Sequence, residues 1–269
     1  DYQGECRFLT ADGSERTFSF IGTPVRDEMG KVVNWVGINI DITEEREARK
    51  ALHESKRQLN TRAQQQAAVA RIGHIALGEV NQRQLFETVV EVVADTLQSP
   101  FCKVLELLPS GEEMVLQAGV GWQAGVEPGI TTLKADLSTL AGYTLAANEA
   151  VIVDQLDQET RFASPPLLLA HGIVSGMSVV IRGGQMPFGV LGVYSDSRRK
   201  FTRDDVNFLV SVANILSTVM ERQAFQAQAN YLATIVQSTQ DAIIGKTLEG
   251  IIKSWNAGRE QMYGYTAVE

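Results

Sequence analysis

The sequence predicts an α+β fold: a central antiparallel sheet with helices on one face, joined to long exposed helices. Three features carry that prediction. The first is a hairpin signal, two β-rich runs at Val174–Ile181 and Phe188–Tyr194 around the turn Arg182-Gly183-Gly184-Gln185. Met177, Val179 and Ile181 project to one side of the first run and Val174 and Val180 to the other, while Val190 opposes Leu191 and Val193 in the second. A sheet with one wet face alternates apolar and polar residues; these runs do not, so both faces must be covered. The second feature is a capped amphipathic helix that follows at once. Thr202 is a good N-cap with Asp205 as the returning carboxylate, and Asp204 and Asp205 suit the first turn. Two stripes then run at helical spacing, Phe208, Val212, Ile215, Val219 and Leu209, Ala213, Leu216, Met220. One is expected on the sheet and the other on a second copy of the same helix. The third feature is a proline-free stretch from Glu44 to Leu77 whose first glycine is Gly73. At ~1.5 Å per residue it reaches roughly 50 Å, too long to be buried in one small domain, and a solvated two-stranded coiled coil is the economical reading.

The 269 residues suffice for one large domain or two to three small ones. Hydrophobic residues at 44% and charged residues at 21% are ordinary for a soluble globular chain. No apolar run approaches the ~20 residues that span a bilayer, and no signal peptide opens the sequence. A net charge of -8 argues against a nucleic-acid partner, because phosphate contacts need a basic face. Cys6 and Cys102 lack metal spacing and read as reduced thiols of a cytoplasmic protein.

In chain order, Tyr2–Leu9, Glu15–Val25 and Val32–Ile40 are predicted strands, separated by turn signals at residues 11–14 and 27–30. Three strands without a covering layer bury no core, so the chain is expected to begin partway through a domain. Asp41 is the expected cap of the long helix, with Glu44 at the reciprocal position. A helix over Arg83–Leu97, strands over Phe101–Leu108 and Met114–Val120, a short helix over Ser138–Ala147, a strand over Ala150–Asp154, and a helical turn over Leu167–His171 complete the central part.

Residues 69–222 resemble a GAF domain through Cys102-Lys-Val-Leu-Glu-Leu, Ala118-Gly-Val-Gly-Trp122, Ser175-Gly-Met-Ser-Val, Phe188-Gly-Val-Leu-Gly-Val and Phe201-Thr-Arg-Asp-Asp-Val-Asn-Phe-Leu209. Residues 1–43 are similar to the C-terminal half of a PAS domain, by Asp12-Gly13, Gly22-Thr-Pro-Val-Arg-Asp27, Gly30-Lys-Val-Val and Asp41-Ile-Thr43. Residues 223–269 resemble a linker helix and the opening part of another PAS domain, by Asp241–Asn256 and Tyr263-Gly-Tyr265. Residues 44–68 are then a linker helix. Such PAS–GAF–PAS arrays resemble the input region of bacterial sensor histidine kinases in two-component phosphorelays, and also of cyclic-dinucleotide signalling enzymes. The resemblance implies a parallel homodimer, a small-molecule or partner-binding GAF pocket, no catalytic domain in this segment, and a cofactor that the residues do not name.

The GAF pocket, between sheet and loops, is expected to be walled by Trp122, Tyr143, Asp154, Phe162 and His171, a mostly apolar cleft with a few polar groups. His171 reads as a haem ligand or a titrating group on one view and as a hydrogen-bonded, buried imidazole on the commoner one. Cys102 is expected to be an inert core thiol, with Lys103 on the opposite face of the strand. Bilin-binding GAF domains attach pigment through a cysteine near a histidine, whereas here Ala170 precedes His171. Phe201 and Asp205 match half of the cyclic-nucleotide element of other GAF domains, whose Asn-Lys pair is missing. Gly119-Val-Gly121-Trp-Gln-Ala-Gly125 is a strand-ending turn rather than a phosphate loop, and Gly111-Glu-Glu-Met114 and His53-Glu54 are a hairpin turn and an exposed helix position.

Overall fold

The computed structural model describes residues 2–78, 81–123, 125–163, 165–184 and 186–264. Ala124 of the glycine run, Gln185 of the hairpin turn and Tyr265 of the tail motif lie outside the described residues. The chain forms two compact units, residues 1–64 and 65–269. The first is a meander of β1 (Tyr2–Leu9), β2 (Glu15–Arg26) and β3 (Val32–Asp41), in the order β1-β2-β3. Its turns carry Gly13 and Gly30 at positive φ, the conformation in which a Cβ is strained. Ile21, Trp35, Val36, Ile38 and Ile40 are exposed. Asp41 remains in β3 and accepts from the Thr43 amide at 3.0 Å, and the helix begins one residue later than the Asp41–Glu44 box predicts.

That helix, α1 (Thr43–Leu77), enters the second unit with Gln65, Ala68, Ile72 and Ala76 buried. After it come α2 (Gln82–Leu97), β4 (Phe101–Leu107), β5 (Glu113–Val120), β6 (Thr132–Lys134), α3 (Leu140–Ala147), β7 (Val151–Val153), α4 (Pro166–Ala170), β8 (Ser175–Ile181), β9 (Gly189–Ser195) and α5 (Arg203–Ser238). The strands form one antiparallel sheet in the order β6-β5-β4-β9-β8-β7. β8 and β9 are the predicted hairpin, and β4 lies at the centre between β5 and β9.

Both faces are covered, as the hairpin pattern requires. Met177, Val179, Ile181, Leu191 and Val193 join Cys102 and Val104 under α1, α2 and α5. On the other face, expected to hold loops alone, α3 packs as well: the Thr144 and Ser178 hydroxyls meet at 2.6 Å, and Thr139 caps the helix by accepting from the Gly142 amide. Leu140, Val153, Leu156, Phe162, Leu168, Ile173 and Tyr194 form the apolar cluster there.

The second stripe of α5 is covered within this chain, which corrects the expectation that it meets a second copy. Leu209, Ala213, Leu216 and Met220 are buried in one cluster with Ala68, Ile72 and Ala76 of α1. Gln65 Nε2 donates to Asp205 Oδ1 at 2.9 Å, and Arg222 donates to the Ala76 carbonyl. The capping box of Thr202 and Asp205 is present as predicted. Beyond Met220 the helix is exposed, with Phe225, Tyr231, Leu232 and Ile235 on its surface. β10 (Ile244–Lys246) and β11 (Ile252–Trp255) pair antiparallel before α6 (Ala257–Tyr263). Buried Asn256 closes that tail: its Nδ2 donates to the Val236, Thr239 and Asp241 carbonyls and its Oδ1 accepts from the Ile243 amide.

Candidate functional site

The site is set by alternation along β4. Cys102 and Val104 point into the helix layer, while Phe101, Lys103 and Leu105 point into the opposite one. Register places Gly119 of β5 and Gly192 of β9 directly on either side of Lys103. A Cβ added at Gly119 meets Trp122 Cδ1 at 2.7 Å, and one added at Gly192 meets the Tyr194 hydroxyl oxygen at 2.4 Å. The two missing side chains are the space in which the two rings lie. Lys103 Nζ therefore sits 4.8 Å from the Trp122 ring centroid and 5.0 Å from that of Tyr194. The rings meet edge to face at 5.7 Å, and Trp122 Nε1 donates to the Cys102 carbonyl at 2.9 Å.

Lys103 is 3% exposed and Tyr194 1%. Burial lowers the lysine to about 7, with the Cys102 sulfur a smaller opposing influence. Burial also raises the Tyr194 hydroxyl and the Cys102 thiol, so Cys102 is a protonated core thiol without nucleophilic character. Among the described residues no acceptor is bonded to Lys103 Nζ, and none to the Tyr194 hydroxyl.

The cover is aromatic. Phe101 packs on Trp122 at 5.3 Å, and His171 meets Trp122 at 5.0 Å and Phe101 at 6.0 Å. His171 Nε2 accepts from the Gln123 amide at 2.9 Å, and Nδ1 lies 2.8 Å from the Leu167 carbonyl. An amide N–H only donates and a carbonyl only accepts, so the proton sits on Nδ1. Half-buried and bonded on both ring nitrogens, His171 ties the stretch after β5 to α4. It has no nitrogen left for a haem iron.

Of the five residues predicted for the cleft, the structure joins Trp122 to His171 and Tyr143 to Phe162, whose rings are 5.7 Å apart. Trp122, Tyr143 and Phe162 share one apolar cluster. Asp154 is exposed and lines a separate groove of about 550 Å³ with Gln155, Arg161, Arg198 and Lys200. Arg161 spans the two regions, over the Tyr143 and Phe162 rings while ion-paired to Glu159 at 2.6 Å. That pairing holds the Glu159 carboxyl down to about 2. Asp205 takes hydrogen bonds from the Thr202 amide and hydroxyl and from Gln65, so its carboxylate belongs to the helix start. Sequence reading placed Lys103 on this face and passed over it as a site residue, and it missed Tyr194. The available signal was a lone charge inside the apolar run Phe101–Leu105.

The GAF domain profile matches residues 81–220. The chain belongs to the GAF domain family. The family is one of sensory domains in signalling proteins, and its members often bind small ligands. No curated protein matches the chain. Among solved structures, this GAF chain is similar to the GAF domain of a phosphoenolpyruvate-protein phosphotransferase from Coxiella burnetii, with 17% identity, 63% of this chain and 98% of that one covered, and a TM-score of 0.55. It is also similar to the corresponding domain from Acinetobacter, at 21% identity, 63% and 97% coverage and a TM-score of 0.51. A free methionine-R-sulfoxide reductase from Neisseria meningitidis, in complex with its substrate, aligns at 18% identity, 61% and 93% coverage and a TM-score of 0.52. At these identities the likeness is one of fold. No helix among the described residues is long and apolar enough to cross a membrane.

Proposed function

We propose that this chain is the sensory input region of a bacterial signalling protein, in which the GAF cleft takes a small ligand and the long helices carry the result to an output domain. The observation that supports this reading best is the two-sidedness of β4: consecutive residues touch the aromatic site and the helix layer. A ligand that shifts Lys103 and Trp122 shifts a strand that α2 rests on, in the same sheet as the β8 strand under α5, and a difference in its contacts between two helix arrangements is a signal. In this reading residues 1–43 and 223–269 are parts of PAS domains, the protein is cytoplasmic, and the exposed ends of α1 and α5 pair in a parallel homodimer. The output is a histidine kinase in a phosphorelay, with a cyclic-dinucleotide cyclase or phosphodiesterase as the alternative.

Native mass spectrometry of protein purified from cells tests this reading. A stoichiometric small molecule, lost on denaturation, supports it; a ligand-free chain that no small-molecule panel stabilises against heat refutes it. Sedimentation at micromolar concentration tests the dimer, which a monomer would rule out. A purely structural spacer is the second reading, favoured by the rings of Trp122 and Tyr194 filling the space beside Lys103. It predicts that ligand panels leave both melting and sedimentation unchanged.

A further inference from the structure

Lys103 and Tyr194 place two buried donors side by side with no acceptor bonded to either among the described residues. Buried polar groups are ordinarily satisfied, and those that are not call for an explanation. Aromatic faces on two sides stabilise an ammonium but accept no conventional hydrogen bond. Resting on the ligand-sensing reading above, we propose that Lys103 and Tyr194 form the anion-binding centre of the cleft and that its ligand is a small monocarboxylate with an aromatic or branched apolar body.

The donor set defines the head group. One ammonium and one neutral hydroxyl match a single negative charge spread over two oxygens, one for each donor. A phosphate dianion requires more donors than Lys103 and Tyr194 supply, or a second cation, and Arg161, which lies over the Tyr143 and Phe162 rings, is engaged by Glu159 and the Ile152 carbonyl. The walls define the body. Phe101, Leu140, Phe162 and Ile173 are apolar. Entry requires the Trp122 ring to leave the ammonium, which releases its hydrogen bond to the Cys102 carbonyl and strains the Gln123–His171 link. The acid then takes the position of an indole that His171 otherwise clasps in place.

Calorimetric titration of the full chain at pH 6 with phenylacetate, indole-3-acetate and 4-methylpentanoate, each against its primary amide, tests the proposal. At least one acid is expected to bind tenfold or more tightly than its amide. That preference should vanish in Lys103→Met and fall several-fold in Tyr194→Phe. Acid and amide binding equally, or a preference that survives in Lys103→Met, overturns the anion centre. A neutral molecule found by native mass spectrometry, with none of the acids binding, overturns it while leaving the sensor reading intact; an empty chain that binds nothing overturns both. Should Lys103→Met fail to fold, the wild-type chain still decides. Saturating acid should slow reductive methylation of Lys103 by formaldehyde and borane at least fivefold, and an unchanged rate counts against the proposal.

Discussion

Replacing Lys103 with methionine is the sharpest test of how this fold spends its stability. Methionine fills nearly the same volume with a flexible apolar chain, so the change removes the charge and little else. A lysine lowered by burial from 10.5 to about 7 carries a penalty on the order of 5 kcal/mol at and below neutral pH. Contacts with the Trp122 and Tyr194 faces are worth ~1–2 kcal/mol of the ammonium's energy and vanish with it. Lys103→Met should therefore be more stable than wild type by about 3 kcal/mol at pH 6.5. The sign of the pH dependence follows from linkage. Between pH 7 and 10.5 the unfolded chain holds a proton on Lys103 that the folded chain has released, so wild-type stability rises with pH across that window. From pH 7 to 9 the wild type should gain about 2 kcal/mol that the variant does not. Buried Tyr194 and Cys102 are common to both proteins and cancel in the difference. Urea denaturation of both proteins at pH 6.5, 7.5 and 9 reads these quantities. A less stable variant at pH 6.5, or parallel pH profiles, would refute the reasoning and make Lys103 an ordinary structural residue.

Four further outcomes follow from the same geometry. Gly119→Ala pushes a methyl group against the Trp122 ring and should cost about 1–3 kcal/mol, with a shift in tryptophan fluorescence that a remote glycine change does not produce. His171→Ala removes the acceptor of the Gln123 amide and should speed hydrogen exchange there by about tenfold or more. Asp205→Ala removes a cap and leaves buried Gln65 unpaired; a loss of about 2–4 kcal/mol is expected in denaturant titration. Iodoacetamide should label half-buried Cys6 while Cys102 stays unmodified until the chain unfolds, and equal rates would contradict the burial of that thiol.

Much of the fold was legible because its signals are local. The hairpin, the Thr202–Asp205 box and the strand pair around the Pro109–Glu112 turn each lie within a few residues, and each formed nearly where pattern placed it. The short β6 was missed because three residues, Thr132–Lys134, cannot establish a period and are held by pairing with β5. The covering of the second α5 stripe was misassigned for a related reason. Helical spacing shows that Leu216 and Met220 need a partner, but not that α1, about 140 residues earlier in sequence, joins them in one core. The cleft shows the same limit. Aromatic residues on loops could be guessed, whereas the Gly119–Lys103–Gly192 row exists only once three strands are in register.

The six-stranded sheet ends on both sides in strands of three residues, Thr132–Lys134 and Val151–Val153. So short a border offers a neighbouring chain almost no ladder to extend at this sheet. In the homodimer proposed above, the bare lengths of α1 and α5 supply the contact surface. A change in how the cleft is filled is then felt at the seam between subunits instead of being lost at a rim.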